Sequence, residues 1–586
     1  MKRFFQGCGN SARRRIERVR VTSIFFSPTS NRFSIQSART VAAATAAAAI
    51  AGCGWLLLPA NAEGPVRTVK GKETKIANWS NTHNVTGMLY QPETLEELES
   101  LVKECHESGT PLRPVGGGIS PNGIAFSEKG MVNLSKMNNL LFVDEEKMQV
   151  RVQAGMRVSE LVDALKPYGL TLMNYASIKE QEIGGFVQAG AHGTGAAIPP
   201  LDDTVVAMKL VTPGRGVLDV SRDSAPQLLD ALKVGLGAFG VVAEVTLQCV
   251  KQHDLEEHTF TASRQDVVKN HKEWLKNNKH IRYMWLPYTE TVVVVTNNPT
   301  SKPKGLKGEE ISEEEEDRRV APLRDLLIHS IKRIDEKTSE KLGLDVDLVG
   351  SLNFAECRDW LLKFNALDTN HIINVNRAEA KFWKNSGGRV VGDSSEMLQF
   401  DCGGEQLVYE VCFPTGTLEH PLKPVQKDDR TVDAKSQDVA FVVDLLDEIE
   451  SRKLPAPCPI EQRWTRASKS RMSPAASANM DDVFCWVGVI MYLPVSDPTV
   501  RNGITSHFQD YIKLVREVGG RMKSDIYPHW GKIEMPAKTD AKALEADQKW
   551  LARRYPVPLF NALRWELDPK NICANDVINK AFPFKG

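Results

Sequence analysis

Three glycine-rich segments dominate the first half of the sequence, at residues 116–123, 184–195 and 235–240. Glycine lets the main chain approach a ligand closely, and consecutive N–H groups in a turn form a concavity that binds phosphate oxygens. One such loop would mean little, whereas three within one stretch of chain are hard to explain as turns alone. The pattern predicts a site for a phosphate-bearing ligand.

The third segment matches the dinucleotide fingerprint GxGxxG literally, from Gly235 to Gly240. That fingerprint requires a strand before it and a helix after it, so that the phosphates meet helical N–H groups. Here the following residues, Val241 to Leu247, are largely β-branched and alternate in polarity, which predicts a strand. A Rossmann site is therefore excluded, and a tight glycine turn into a strand is expected.

In the second half, Glu461 and Arg463 lie two positions apart. On a strand this spacing directs both side chains to one face. A carboxylate can accept a substrate hydroxyl, and an always-charged guanidinium can bind anionic oxygens. The alternative is an ordinary surface ion pair. Because the ten cysteines form no CxxC pair and no HExxH occurs, no metal site is predicted, and redox chemistry must come from an organic cofactor.

The length and composition of the chain are those of a folded protein that can position these residues. A chain of 586 residues predicts two or three domains, and 74 basic against 74 acidic residues leave no net field that would hold a nucleic acid. Helical patterns alternate with short β-branched runs, which indicates an α+β fold. Thr94 followed by Glu97 is a helix-capping pattern, and the acidic stretch at residues 308–317 is interpreted as a solvated loop.

The N-terminus has the composition of a targeting sequence. Residues 1–40 contain eight arginines and one acid, which is typical of a mitochondrial or plastid transit peptide; a basic disordered tail is the alternative. Residues 41–60 are uncharged and just long enough to cross a bilayer, although alanine is only weakly apolar. Together they predict import into mitochondria, with a sorting or transmembrane segment at the inner membrane and the folded part in the intermembrane space.

Taken together, the motifs resemble a known family. Residues 113–120, 183–195 and 237–246 occur in the order and spacing of the vanillyl-alcohol-oxidase-type (PCMH) FAD-binding domain. Residues 120–123, 461–464, 529–534 and 567–569 resemble the sugar-lactone oxidoreductases within that family. The resemblance implies an FAD-binding domain at residues 75–253 and an α+β cap or substrate domain at 254–586, whose C-terminal part returns to the FAD domain.

The resemblance also implies site residues. Those expected to contact FAD are Val115, Gly116, Gly117, Gly118, Ile119, Ser120, Ile183, Gly184, Gly190, His192, Gly193, Thr194, Gly195, Gly240, Val241 and Val245. Relatives that bind FAD covalently carry histidine where this chain has Ile119, so non-covalent FAD is expected, and His192 itself is interpreted as structural. Ala176 lies where the family controls access of oxygen to the flavin; alanine there is typical of dehydrogenases and glycine of oxidases.

The activity implied by the resemblance is oxidation of L-galactono-1,4-lactone at C2 to L-ascorbate, with cytochrome c as electron acceptor. Glu461 would bind the substrate hydroxyl, and Arg463 and Lys532, with His529 beside them, would stabilise the negative charge of reduced flavin. The alternatives are an aldonolactone oxidase that uses O2 and a role in assembling respiratory complex I, which could coexist with catalysis. The stereochemical preference, the presequence cleavage site and the oligomeric state are left open.

Overall fold

The computed structural model describes residues 67–303, 312–333, 346–399, 403–425, 434–522 and 524–584. The predicted transit peptide and the apolar segment 41–60 lie outside these ranges. Within them, no helix combines the length and apolarity needed to cross a bilayer.

The first half of the chain contains two sheets. The smaller has the strand order β1-β2-β4-β3, formed by β1 (Lys72–Ala77), β2 (Asn84–Tyr90), β3 (Arg113–Pro114) and β4 (Met131–Val132). The larger has the order β5-β6-β10-β8-β9, with β7 also paired to β10; its strands are β5 (Leu140–Asp144), β6 (Gln149–Gln153), β7 (Leu170–Leu172), β8 (Val205–Thr212), β9 (Gly216–Ser221) and β10 (Val241–Lys251).

The third sheet has eight strands in the order β14-β11-β13-β12-β16-β17-β15-β18. Its strands are β11 (Asp254–Ser263), β12 (His280–Trp285), β13 (Thr291–Thr300), β14 (Gly388–Asp393), β15 (Gln406–Thr417), β16 (Ile460–Arg466), β17 (Asp482–Tyr492) and β18 (Tyr527–Pro528). The predicted domain boundary at 253/254 falls between β10 and β11, which lie in different sheets. The domain limits themselves stay a prediction.

Fifteen α-helices pack around these sheets in the described ranges. Those of the first half are α1 (Leu95–Ser108), α2 (Val158–Leu165), α3 (Ile183–Gln188) and α4 (Pro226–Leu232). The others are α5 (Arg264–Asn277), α6 (Glu313–Ile331), α7 (Val346–Val349), α8 (Phe354–Asn365), α9 (Thr369–Asn385), α10 (Ser394–Leu398), α11 (Gln437–Ser451), α12 (Pro498–Gly519), α13 (Ala541–Arg554), α14 (Val557–Leu567) and α15 (Asp576–Ala581).

Local sequence signals explain several boundaries. The Thr94 side chain accepts a hydrogen bond from the Glu97 N–H at 3.2 Å and caps α1, as its pattern predicts. After Gly240 the chain enters strand β10, with α4 before the glycine turn, so the predicted turn into a strand is confirmed. A helix therefore precedes the glycine turn and a strand follows it, whereas a Rossmann motif has the strand first and the helix second.

The acidic stretch is the exception. Its part from residue 313 onward is not a loop, because α6 begins at Glu313. Ser312 caps the helix by accepting the Glu315 N–H, and acidic side chains in a first turn favour the positive end of the helix dipole. Glu315 also pairs with Arg319 one turn later at 3.0 Å. Low complexity was misleading here, since the same composition stabilises a helix N-terminus.

Hydrophobic packing joins the ends of the chain. Trp530, Leu551, Phe560 and Phe582 are buried in the same hydrophobic cluster as the strands and helices of the first half. The Arg113 guanidinium, 3% exposed, donates a hydrogen bond to the Cys573 carbonyl at 2.9 Å. The C-terminal segment therefore packs against the first two sheets rather than only against the third.

Candidate active site

The third sheet presents one face to a large cavity. On β16, Glu461 and Arg463 project from the same face, as their spacing predicts. Across the sheet, Glu461 lies opposite Met284 of β12 and Gly488 of β17. Gly488 in turn lies opposite Glu410 of β15. Since directly paired residues share a face, the register gathers these positions from four strands into one row.

This face and the glycine loops of the first half enclose a cavity of about 350 Å³. The cavity therefore brings together side chains and backbone from segments up to several hundred positions apart. The predicted residues that line it are Val115, Gly116, Gly117, Gly118, Ile119, Ser120, Ala176, Gly184, His192, Gly240, Val241, Glu461, Arg463, His529 and Lys532.

The remaining predicted cofactor residues do not line this cavity; they are Ile183, Gly190, Gly193, Thr194, Gly195 and Val245. Ile183 and Val245 are fully buried core residues. The Thr194 hydroxyl donates to the Ile281 carbonyl, and the Gly195 N–H donates to the Trp464 carbonyl at 2.6 Å. These contacts join the loop at residues 193–195 to the third sheet. The loop therefore fixes the position of the first half of the chain relative to that sheet.

The loop at residues 116–120 suits an anionic ligand. Its backbone lines the cavity, and among the described residues none accepts a hydrogen bond from these five N–H groups. Gly118 adopts φ +66°, a left-handed conformation that favours glycine. Unpaired N–H groups on a cavity wall match the oxygens of a pyrophosphate. The residues present therefore fit the phosphate-bearing part of FAD.

Glu410 connects the cationic residues of the site, and the sequence analysis missed it. Its side chain is almost fully buried, with 2% exposure. One carboxylate oxygen accepts from Arg463 Nη2 at 2.6 Å, and the other from Lys532 Nζ at 2.6 Å and His192 Nε2 at 3.0 Å. Arg463 Nε also lies 3.4 Å from Glu461 Oε2. The cations are thus fixed by one carboxylate before any ligand binds.

Charge and burial set the protonation states in this cluster. Burial opposes ionisation of Glu410, but the nearby Lys532, His192 and Arg463 outweigh it and hold the pKa of Glu410 well below its ordinary value. Burial lowers the pKa of His192 to about 4. At neutral pH the carboxylate is therefore charged and the His192 ring neutral. Since a carboxylate only accepts, Nε2 of His192 carries the proton that it shares with Glu410.

His529 and His192 have defined structural contacts. The Nδ1 of His529 accepts from the Gly531 N–H at 3.0 Å, so its Nε2 is the donor to the Gly190 carbonyl at 3.1 Å. Burial and the neighbouring Lys532 lower the pKa of His529 well below its ordinary value. The His192 ring stacks on Trp486 with a centroid distance of 3.7 Å. Both rings therefore hold loops and strands together at the cavity wall.

His192, Glu410 and His529 place potential metal-ligand atoms within 4.8 Å of one another. However, both oxygens of Glu410 already bind Arg463 and Lys532, each at 2.6 Å. A divalent cation would have to displace these side chains and lie beside their positive charges. The arrangement favours an anion-stabilising site over a metal centre.

The sequence contains one signal for Glu410. It is the single charged residue in the apolar run from Leu407 to Phe413, an apolar composition typical of a strand buried on both faces. A buried carboxylate needs partners, so its occurrence in such a run indicates cations nearby. Which cations these are could not be read from the run itself.

Comparison with known proteins gives a consistent result. The chain matches two families, "FAD binding domain" over residues 87–221 and "D-arabinono-1,4-lactone oxidase" over 245–341 and 359–581. It is 49% identical to the mitochondrial L-galactono-1,4-lactone dehydrogenase of Arabidopsis thaliana over 87% of this chain and 81% of the relative. It is 28% identical to the L-gulonolactone oxidase of Bos taurus, over 87% of this chain and 99% of that protein.

Among solved structures, a cholesterol oxidase from B. sterolicum superposes with a TM-score of 0.65. The sequence identity is 13%, and the match covers 89% of this chain and 99% of that one. A solvent-stable cholesterol oxidase gives a TM-score of 0.63 at 15% identity. These likenesses confirm the expected α+β, PCMH-type fold, and the FAD-binding family match confirms FAD as the cofactor.

Proposed function

The chain belongs to the sugar-lactone oxidoreductase family of its L-galactono-1,4-lactone dehydrogenase relatives, and we propose that it oxidises L-galactono-1,4-lactone at C2 to L-ascorbate. The observation that carries this proposal is the cavity itself. Its wall combines the glycine loop, whose N–H groups are unpaired, with Glu461 and Arg463 of the sheet and Lys532 of the 3-10 turn after β18, arranged around Glu410.

Oxidation at C2 removes two electrons and two protons from the carbinol, and the 2-keto lactone then tautomerises to the ene-diol. FAD, when bound, supplies the two-electron acceptor. Glu461, whose side chain is 19% exposed on the cavity wall, accepts a hydrogen bond from the substrate hydroxyl and orients it. Arg463 and Lys532 are fixed cations that stabilise negative charge developing during the reaction.

The FAD is held non-covalently in this proposal. Ile119 lines the cavity and has no nucleophilic atom. The Nε2 atoms of the two histidines in the lining, His192 and His529, contact Glu410 at 3.0 Å and the Gly190 carbonyl at 3.1 Å. Their Nδ1 atoms lie 3.1 Å from the Gly193 carbonyl and 3.0 Å from the Gly531 N–H. No histidine of the described cavity wall is therefore free to form a bond to the flavin.

We place the reaction in mitochondria, as the names of the plant relatives support. Cytochrome c is the proposed acceptor, because alanine at position 176, which lines the cavity, favours a dehydrogenase over an oxidase, and the predicted intermembrane-space location supplies cytochrome c. Location in the intermembrane space and association with the inner membrane remain predictions from residues 1–60, and contact with complex I assembly intermediates remains a prediction from the resemblance. Use of O2, as in a lactone oxidase, is the competing proposal.

The test is turnover by the purified holoenzyme. We expect L-galactono-1,4-lactone to reduce the flavin, and cytochrome c to reoxidise it faster than O2 does at equal concentration. Reduction by no aldonolactone would refute the activity. Reoxidation that is faster with O2, with formation of peroxide, would establish an oxidase instead.

A further inference from the structure

A second polar group of side chains lines the same cavity, on helices rather than on the catalytic row of the sheet. It consists of Arg358 on α8 and Glu379 on α9, with Tyr492 at the end of β17. Tyr492 lies four residues along β17 from Gly488, the residue opposite Glu461. Met284, the residue opposite Glu461, packs in the same hydrophobic cluster as Phe354 and Trp383. These two aromatic residues lie one helical turn from Arg358 and Glu379, respectively, so the two polar groups occupy neighbouring parts of the cavity wall.

Glu379 is a buried carboxylate with an unused acceptor. The residue is 1% exposed, and its Oε1 accepts from the indole Nε1 of Trp383, one turn later on α9, at 3.2 Å. Its Oε2 has no hydrogen-bond partner among the described residues. Burial raises the pKa of this carboxyl group, and the positive charge of the nearby Arg358 opposes that shift. A buried acceptor that the fold leaves unpaired costs free energy unless a ligand pairs with it.

Arg358 offers an unused donor beside it. Its Nη2 donates to the Tyr492 hydroxyl at 2.8 Å, and its guanidinium lies over the rings of Tyr492 and Phe354, with centroid distances of 4.6 and 5.4 Å. These contacts fix the orientation of the guanidinium. Its buried Nε has no hydrogen-bond partner within the described part of the chain. The cavity wall thus holds one free acceptor and one free donor.

This pairing selects a class of ligand. A phosphate would be repelled by Glu379, and a cation would be repelled by Arg358. A hydroxyl group both donates and accepts, so neighbouring hydroxyls satisfy both atoms without a charge of their own. By contrast, the oxygens of Glu410 at the catalytic row already have protein partners.

We propose that Arg358 and Glu379 form a subsite for neutral hydroxyl groups, which binds the exocyclic diol of the aldonolactone whose C2 lies at Glu461 and Arg463. This inference rests on the proposed function. The diol undergoes no bond change in the reaction, and we expect the subsite to bind it equally in the ground state and in the transition state. Loss of the subsite therefore raises KM much more than it lowers kcat.

The test compares two lactones on the holoenzyme. One is L-galactono-1,4-lactone, and the other is the 2,3-dihydroxy-γ-butyrolactone of the same configuration at C2 and C3, which lacks the exocyclic diol. For Glu379→Gln and Arg358→Lys we expect kcat/KM on the full lactone to fall roughly 10- to 100-fold, the range for losing a hydrogen bond to a charged group. The truncated lactone should be affected little.

The matched control is Lys381→Gln, which removes a charge from an exposed position on the same helix and should leave both lactones unaffected. Flavin absorbance and a thermal melt of each variant show that it is folded and loaded. If kcat/KM falls by the same factor on both lactones in both variants, or does not fall at all, the proposed subsite is wrong. Wild-type inactivity toward both lactones would instead refute the proposed function, and the subsite with it.

Discussion

Glu410→Gln is the substitution that most directly tests how the site is built. It keeps the shape of the side chain and removes the charge that binds Arg463 and Lys532, each at 2.6 Å. The amide oxygen can still accept from one cation, but the amide NH2 then points its donors at the other. One buried cation is left without its partner.

The expected cost follows from burial. The side chains of Glu410 and Arg463 are 2% and 7% exposed, and that of Lys532 is 19% exposed. Removing one partner of such a buried ion pair costs about 3–5 kcal/mol. We therefore expect the free energy of unfolding of the FAD-loaded protein to fall by about that amount.

The measurement is urea unfolding followed by tryptophan fluorescence, since urea does not screen charges as guanidinium does. The control is Glu405→Gln near the start of the same strand. Glu405 also binds an arginine, Arg501 Nη1, at 2.6 Å, but its side chain is 39% exposed. An exposed pair is worth about 0.2–1 kcal/mol, so the control should lose no more than that.

The pH dependence has a defined sign. Because the folded protein holds the pKa of Glu410 well below its ordinary value, its contribution to stability is present above the unfolded-state pKa of about 4.3 and is lost as the pH falls toward the folded value. The gap between the wild type and Glu410→Gln should therefore narrow on acidification. If Glu410→Gln and the control Glu405→Gln lower the free energy of unfolding by the same amount at neutral pH, Glu410 does not hold the cations in place.

Three further predictions concern the flavin. Arg463→Ala should slow anaerobic flavin reduction by L-galactono-1,4-lactone about 10²- to 10³-fold. Arg463→Lys should recover little of this rate, because an ammonium group lacks the planar fork of the guanidinium. A wild-type rate in stopped flow would show that the arginine is structural. Denaturation in acid or SDS should release all flavin from the polypeptide, since Ile119 cannot bind it; fluorescence that migrates with the protein would contradict this. Ala176→Gly should accelerate reoxidation by O2 with little change in anaerobic reduction, and an unchanged oxygen rate would assign Ala176 to packing.

Much of the fold was predictable because its signals are local. The capping pattern at Thr94, the strand after Gly240 and the shared face of Glu461 and Arg463 each depend on residues within a few positions of one another. Such signals depend on backbone geometry and on short-range hydrogen bonds, which neighbouring residues determine. The acidic stretch misled because one composition suits both a solvated loop and the first turn of a helix.

The site itself shows what the sequence determined and what it could not. Glycine spacing indicated a phosphate-bearing ligand, and the flavin itself followed from the family resemblance. The spacing of Glu461 and Arg463 indicated two charged side chains on one strand face. The tertiary structure alone decided that Glu410 joins them, since its partners Arg463, Lys532 and His192 lie 53, 122 and 218 positions away along the chain. It also decided that Gly195 pairs with the third sheet instead of lining the cavity. Contacts of this kind depend on how strands are ordered in a sheet and how sheets pack, which no local pattern specifies.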